Sequence, residues 1–531
     1  MRIDQQNTLS QEQSSWYRAS TLAERLSALK ARRTTVPFPH GDQARKRLQR
    51  WQEQSIFKDG FAFLERLELD GITEEDLLTL LEPSVVIPLL TSAGWTTELV
   101  QAFAAPPTPQ DEALLPKPGE EERSMSPFLK PVEPLLRQAR ARLYSGIERL
   151  ERQYTICPFH TPAVLSSLFA SLSVQFRNLL TRTLVLEMHM YRVQQRLQGE
   201  TPEQRFASFV DLLCHGQIST LLEEYPVLAR QLVTTVEHWV TYGLEFLDHL
   251  CADWAELRAR FSPETDPGPL MRIHVGAGDA HRGGRTVLLL QFRHGLQLVY
   301  KPKSLAIDVH FQELLSWLNA CGYSPPLATM KIVDRGSYGW TEYVAPHDCS
   351  SEADVQRFYQ RQGGYLALLY ALQALDFHAE NVIAAGEHPF LIDLEALFHP
   401  NESVPRGAEH PAASVLRHSV LRVGLLPYRI HASDTDEGID ISGLGGWGKQ
   451  RSPLPVSMWE ESGTDRMHLT RKHMELKAYQ NLPRLNGQDI ALLDYKEALL
   501  TGFTTMYRLL MKQREVFVTD YLPRFWMMRH V

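Results

Sequence analysis

The stretch LQALDFHAENVIAAGEHPFLIDLEALFHP, residues 372–400, decides how the rest of the chain is read. It reads as a helix end, a polar loop, a short strand, a turn at Gly386–Pro389 and a second strand. Asp376, His378 and Asn381 fall in the loop, and Asp393 stands at the end of the second strand. Two carboxylates, an imidazole and a carboxamide therefore converge on one hairpin. Phosphoryl transfer asks for such a set: an acid to orient the nucleophile and hard oxygen ligands for magnesium. The plainer alternative is a solvated loop carrying a helix-terminal Asp.

Upstream of this stretch the hydrophobic period is two. Arg285–Arg293 and Leu296–Lys301 predict strands joined at His294–Gly295, and Leu327–Val333 and Tyr338–Val344 predict a second hairpin across Asp334–Ser337. Ile307–Ala320 between them predicts a helix, so the order is strand, strand, helix, strand, strand, as in a kinase-like small lobe. Asp354–Leu375 predicts the helix that delivers the opening stretch.

Around these elements lie further groups suited to a nucleotide. Gly276–Thr286, GAGDAHRGGRT, has four glycines in eleven positions, with Gly283 and Gly284 beside Arg282 and Arg285. Such a backbone approaches phosphates closely, and the arginines favour anions. It is not a GxxxxGK[ST] loop. Asp279 and His281 within it suit proton transfer. Lys301 ends the second strand in VYKPKSL, where a lysine can point into the cleft and neutralise phosphate oxygens; Lys303 shares its side by strand parity, so spacing alone does not choose between them. Glu313 is a candidate partner for the lysine. Glu342-Tyr343-Val344 leads out of the fourth strand where a hinge contacts adenine, although a plain edge strand reads the same. In this arrangement Asn381 and Asp393 are the magnesium ligands, Asp376 orients the hydroxyl and accepts its proton, and His378 holds the loop or contacts phosphate. ATP and Mg2+ are the expected cofactors.

The remainder of the chain is helical. Within residues 1–105, Ala19–Arg33 and Gly41–Gln54 are amphipathic candidates, and the basic run Arg45, Lys46, Arg47 and Arg50 reads as a solvated face. Residues 106–127 are rich in proline and acids and read as a linker or exposed loop. Residues 128–265 carry helical stripes over Pro162–Leu197, Glu203–Leu222 and Val227–Arg260. The expected division is 1–105 N-terminal helices, 106–127 linker, 128–265 helical subdomain, 266–345 small lobe and 346–531 large lobe. The fold class is α+β: a two-lobed catalytic domain behind large N-terminal helical regions.

Bulk properties narrow the function. The 531 residues are 44% hydrophobic and 22% charged, ordinary globular composition. A net charge of −8 argues against nucleic acid as a partner. The polar start, MRIDQQNTLSQEQSSWYR, is unlike a signal peptide, and without a run of about 18 apolar residues no membrane-spanning segment is expected. Cysteines 157, 214, 251, 321 and 349 are scattered without a CxxC pair, which fits a reducing cytoplasm better than a disulfide framework or zinc site.

Taken in order, the segments GDAHRGGR, VYKPKSL, YGWTEYV, GGYLALLYALQALDFHAEN, LIDLEALFHP, SVLRVGLLP, DISGLGG, NLPRLNG and GFTTMYRLL resemble the dehydratase portion of class II lanthipeptide synthetases, the LanM type. The likeness covers most of residues 126–520. It implies a lipid-kinase-like fold with an added helical region. It also implies a two-stage reaction: ATP phosphorylates Ser or Thr of a ribosomal precursor peptide, then phosphate is eliminated to leave dehydroalanine or dehydrobutyrine. Position by position, Lys301, Asp376, His378, Asn381 and Asp393 match the phosphorylation site, and Asp279 and His281 match residues associated with elimination. Two departures stand beside this likeness. The zinc-binding cyclase of the full-length family is not found before Val531, so ring formation would fall to a separate cyclase. The family's R-x-x-x-R-x-T run is also not matched by YLPRFWMMRHV: with Arg529 on the second Arg, Phe525 takes the place of the first, Val531 that of the Thr, and Arg524 is one residue out of register. A kinase that phosphorylates without eliminating, and an inactive leader-peptide-binding fragment, are the alternatives that follow.

Overall fold

The computed structural model describes residues 16–32, 41–54, 57, 61–82, 94–106, 126–278, 281–398, 415–416, 418–432, 438–446 and 448–528. Asp279, most of the 106–127 segment and the terminal residues Arg529 and Val531 lie outside the described residues.

Two compact units divide the chain. One comprises Met1–Glu148, Phe169–Leu244 and Ser462–Arg466; the other comprises Arg149–Leu168, Glu245–Glu461 and Met467–Val531. The first is built from helices: α1 (Leu22–Arg32), α2 (Asp42–Gln52), α3 (Phe61–Asp70), α4 (Glu74–Leu81) and α5 (Gly94–Ala104). Both N-terminal stretches read as amphipathic are helical, each a little shorter than expected. Thr73 and Asp76 cap α4 reciprocally, which satisfies two of its free N-terminal amides. Leu48, Phe63, Leu67, Ile72 and Leu77 close a small apolar cluster among these helices. The unit also takes in much of α6 (Glu133–Gln153), α7 (Thr161–Val193), α8 (Pro202–Leu212), α9 (Ile218–Glu224) and α10 (Pro226–Phe261). The single helix read over Glu203–Leu222 is broken: His215 and Gly216 leave helical geometry, and Gly216 at φ +110° takes the turn that other residues resist.

Bonds inside this unit are specific. Arg230 on α10 grips both carboxylate oxygens of Glu24 on α1 at 2.6 and 2.8 Å. Arg205 does the same to the fully buried Asp465, at 2.6 and 3.3 Å. Among the described helices, α7 is long and apolar enough, by length and composition, to cross a membrane. Its buried residues Val164, Leu168, Leu172, Phe176, Leu180, Leu184 and Met188 recur at helical spacing, the stripe expected of a helix packed in a protein core.

The second unit carries the sheet. Its strands are β1 (Leu270–Val275), β2 (Leu288–Phe292) and β3 (Gln297–Lys301), then α11 (Ala306–Ala320), β4 (Ile332–Asp334) and β5 (Gly339–Glu342). Among the described residues they form an antiparallel sheet of order β1-β2-β3-β5-β4. The expected order therefore gains a leading strand. The sequence reading missed β1, whose Leu270, Ile273 and Val275 pair along β2 as far as Leu288. The expected strands also shorten, because Leu327–Met330 and Tyr343–Val344 lie outside the ladders.

One end of α10 packs on this sheet through groups that sequence reading did not single out. The buried Asp253 accepts from Arg335 Nε at 2.8 Å and from Trp340 Nε1 at 2.8 Å. His249 stacks on Tyr338, their ring centroids 3.6 Å apart, and bonds the Tyr300 hydroxyl at 2.9 Å. Tyr300 and Trp340 are cross-strand partners. The YGW motif therefore serves the core.

Below the sheet in sequence, α12 (Glu352–Ala371) is buried along nearly its whole length, including Phe358, Tyr359, Tyr365, Leu366 and Leu369. Ser351 caps its start by accepting from the Asp354 amide. The helix ends four residues before the expected Leu375, and Gln373 at φ +50° turns the chain out. After it come β6 (Val382–Ala385) and β7 (His388–Leu391), a hairpin turning at Gly386–Glu387, with His388 and Pro389 already in the strand. Two further ladders follow, β8 (Val456–Glu460) with β9 (His468–Lys472) and β10 (Arg484–Leu485) with β11 (Gln488–Asp489). The chain then enters α13 (Lys496–Lys512) and α14 (Leu522–Met528).

Helices α12 and α13 approach so closely that only glycine fits at the crossing. A Cβ on Gly363 would lie 1.9 Å from the Leu499 carbonyl oxygen, and one on Gly502 would lie 1.8 Å from that of Gln360.

Candidate functional site

The site is built at the open end of the β6–β7 hairpin. Val382 pairs with Leu391, and the Ile392 amide donates to the Asn381 carbonyl at 3.2 Å. Antiparallel pairing therefore sets Asn381, just before one strand, across from Ile392, just after the other, with Asp393 the next residue. The two candidate magnesium ligands, twelve positions apart in sequence, leave the same end of one hairpin.

The loop leading in is fixed from three sides. Phe377 is fully buried and its amide donates to the Val423 carbonyl at 3.0 Å. The Ala379 amide donates to Ile441 at 2.8 Å. Asn381 Nδ2 donates to the Asp376 carbonyl at 2.8 Å. Held this way, Asp376 takes φ +67°, a conformation unusual for a residue with a side chain, and its carboxylate stays 65% exposed. His378 Nδ1 accepts from the Glu380 amide, which leaves the ring proton on Nε2, 3.6 Å from Asp376 Oδ1. His378 therefore faces the acid across a short gap.

The segments DISGLGG and NLPRLNG supply the outer wall of this loop. Asp440 Oδ1 accepts from both the amide and the hydroxyl of Ser442, and the fully buried Asn481 donates to the Gly443 and Gly445 carbonyls at 3.0 and 2.8 Å. Gly446, at φ +76°, lies so near Ala379 that a Cβ there would fall 2.8 Å from the alanine methyl. Asn481 is a structural residue that sequence reading passed over, although the glycine pattern it braces was visible.

From the sheet, two lysines reach the same place by different routes. Lys301, at the end of β3, donates to the Ile392 carbonyl at 2.6 Å and lies 3.4 Å from Asp308 Oδ1. The expected partner Glu313 is replaced by Asp308. Asp308 is buried in the first turn of α11, whereas Glu313 is half exposed and bonds His310 at 3.0 Å and Arg524 at 3.5 Å. Burial pushes the Asp308 carboxyl up from its ordinary range, with the ammonium groups of Lys301 and Lys303 opposing that push. Lys303, past the end of β3, reaches Asp393 Oδ1 at 3.1 Å and Glu395 Oε2 at 2.7 Å. Burial pulls its pKa down, but the carboxylates of Asp393 and Glu395 outweigh that pull and the pKa is raised. Asp308 and Glu395 were not anticipated, and Asp308 lay in plain view seven residues after Lys301.

The glycine-rich loop joins β1 to β2. Gly283 and Gly284 take φ +76° and +72°, and the turn closes with the His281 amide on the Arg285 carbonyl at 2.7 Å. His281 is exposed; Asp279 lies outside the described residues. Arg285 departs from its expected phosphate role. Its guanidinium forms a two-point ion pair with Glu245 on α10, which anchors the loop to that helix. Glu342 also departs: its carboxylate accepts from the Lys331 amide at 2.8 Å, closing the edge beside β4. A base at this hinge would meet the main chain of residues 342–344, with Val344 half-buried.

Comparison with known proteins places the site region in a family. A model described as a domain of unknown function, DUF4135, matches residues 225–528. The "Lacticin 481/lactococcin biosynthesis protein LcnDR2" of Lactococcus lactis subsp. lactis is 25% identical over 358 residues, 64% of this chain and 38% of that protein. The chain thus spans well under half the length of this relative. The resemblance drawn from the motifs is shown by these matches. With more than half of its residues covered by the family model, the chain belongs to the DUF4135 family.

Proposed function

We propose that the second unit is a phosphoryl-transfer enzyme that modifies a ribosomal precursor peptide: it phosphorylates Ser or Thr from ATP and then eliminates phosphate to leave the dehydro residue. One observation carries the reading. Lys301 and Lys303, at and just past the end of a sheet strand, converge on residues 392–395 at the hairpin mouth that Asn381 and Asp393 flank. Separate chain segments thus bring cations, a carboxylate and a carboxamide to one point, as a kinase-like cleft requires. The name of the Lactococcus relative supports the substrate class, a peptide matured toward a lantibiotic.

The residues present fit a nucleotide with magnesium. Asn381 and Asp393 would hold the metal, which takes one or two protein oxygens and completes its shell with phosphates and water. The left-handed turn at Gly283 and Gly284 would let the backbone come near the phosphates, with the Gly284 amide itself closed on the His281 carbonyl at 3.0 Å. When bound, the metal supplies charge neutralisation for the phosphates. Asp376, exposed and oriented by the Asn381 bond, accepts the proton of the substrate hydroxyl as its oxygen attacks the terminal phosphorus of ATP and the bond from that phosphorus to ADP breaks, ADP leaving with the electron pair. His378 keeps the carboxylate in place. Elimination requires removal of the Cα proton and release of the β-oxygen with its phosphate. His281, exposed on the glycine-rich loop, is the described residue suited to moving that proton, with Asp279 its sequence neighbour.

The test is incubation of the full chain with ATP, Mg2+ and the cognate precursor peptide, followed by peptide mass analysis. Loss of water per modified residue is the expected result. Retained phosphate would limit the activity to phosphorylation, and an unmodified peptide would overturn the reading. Asp393→Ala is expected to abolish phosphate incorporation with the fold intact by circular dichroism.

A further inference from the structure

Two lysines serve the hairpin mouth, and their surroundings differ. Lys301 is 11% exposed and held between a buried carboxylate and a main-chain carbonyl, so its ammonium has a fixed place whether or not a ligand is present. Lys303 is 29% exposed and bonded to side chains alone, Asp393 and Glu395. Those carboxylates are 38% and 59% exposed. Lys303 lies past the strand end, in a bend, on a flexible four-carbon stem.

We propose that Lys303 is an exchangeable counter-ion: its ammonium occupies Asp393 when no divalent cation is there, and withdraws to phosphate oxygens when one binds. The proposal rests on the phosphoryl-transfer reading above. Its physics is direct. Asp393 and Glu395 repel each other unless a cation lies between them, and an ammonium at 3.1 and 2.7 Å removes that repulsion. A divalent cation on Asp393 would then face a positive charge at contact distance and must displace it. The displaced lysine, still tethered beside the site, finds anions only if phosphates arrive with the metal. Lys303 should therefore weaken binding of the bare cation and strengthen binding of cation and nucleotide together. Lys301 cannot do this, because Asp308 and the Ile392 carbonyl hold it in place.

The experiment is titration of the full chain with Mn2+, reading free metal by electron paramagnetic resonance, with and without ATP. Lys303→Met is expected to bind Mn2+ alone ~5-fold more tightly than the parent and to lose most of the tightening that ATP confers. Lys303→Arg keeps the charge and is expected to follow the parent. Equal or weaker binding of Mn2+ alone by Lys303→Met would overturn the proposal. Asp393→Asn separates this from the underlying reading. If that variant loses Mn2+ while Lys303→Met is unchanged, only the counter-ion role fails. If Asp393→Asn binds Mn2+ as the parent does, the site assignment fails and the counter-ion role with it.

Discussion

The ammonium of Lys301 donates a 2.6 Å hydrogen bond to the main-chain carbonyl of Ile392, the residue before Asp393. A strand of the sheet is thereby tied to the backbone of the hairpin mouth, with buried Asp308 as the counter-charge. Removing the lysine leaves that carboxylate buried without its cation.

For this reason Lys301→Ala is expected to destabilise the protein by about 3 kcal/mol, since stranding one member of a buried pair costs more than the pair contributes. Lys301→Met with Asp308→Leu should recover most of that loss in urea denaturation while remaining unable to transfer phosphate. If the double variant regains activity as well as stability, the lysine has only a structural part.

The crossing of α12 and α13 gives a sharper stability test. Gly363→Ala and Gly502→Ala each drive a methyl into a carbonyl oxygen of the facing helix. Backbone cannot move aside as a side chain does, so each should cost about 3 kcal/mol, the upper end of ordinary overpacking. Denaturation midpoints within error of the parent would show that the helices can separate without penalty.

Trp340→Phe tests the joint between α10 and the sheet. The indole N–H is one of the donors that satisfy the buried Asp253 carboxylate, and Phe removes it while keeping most of the packing. A loss of about 1–3 kcal/mol is expected. Trp340→Phe combined with Asp253→Asn should fall short of the sum of the two single losses if the bond couples them.

Acid should act on the helical unit through Glu24. The side-chain hydrogen bond from Arg230 holds its carboxyl down at about 2, against an ordinary value of 4.5. A depressed carboxylate gives stability that is complete above its unfolded pKa and is lost as pH falls through the folded one. The Arg230 contribution should thus fade between about pH 4.5 and pH 2. Glu24→Gln should flatten the acid limb of a stability–pH curve in that window and lower the plateau above it. An unchanged acid limb would show that this ion pair contributes nothing measurable.

How much of this was legible in the sequence follows from how local each feature is. The hairpin after Asn381 was readable because Gly386 punctuates two apolar stretches, and its pairing alone puts Asn381 across from Ile392, the residue before Asp393. The helical N-terminal half was readable from periodicity. The partner of Lys301 was not, because choosing Asp308 over Glu313 depends on which face of α11 is buried against the sheet. Arg285 and Glu342 hid their side-chain partners for a related reason. Each has the charge a nucleotide site would use, and each is committed to a neighbour far along the chain or across a strand, Glu245 and the Lys331 amide. Strand β1 was missed because LMRIHV follows a proline-rich break and alternates only in part.

The glycines of GGYLALLY and GFTTMYRLL carry one more consequence. Because α12 and α13 touch backbone to backbone at Gly363 and Gly502, the spacing under the helix that ends at the Asp376 loop is set by main chain at that crossing. Adjustment is left to groups held by side chains alone, such as Lys303 on its flexible stem. Change over time would accordingly be recorded in the sheet and its loops, with the acid-bearing loop serving as the fixed datum.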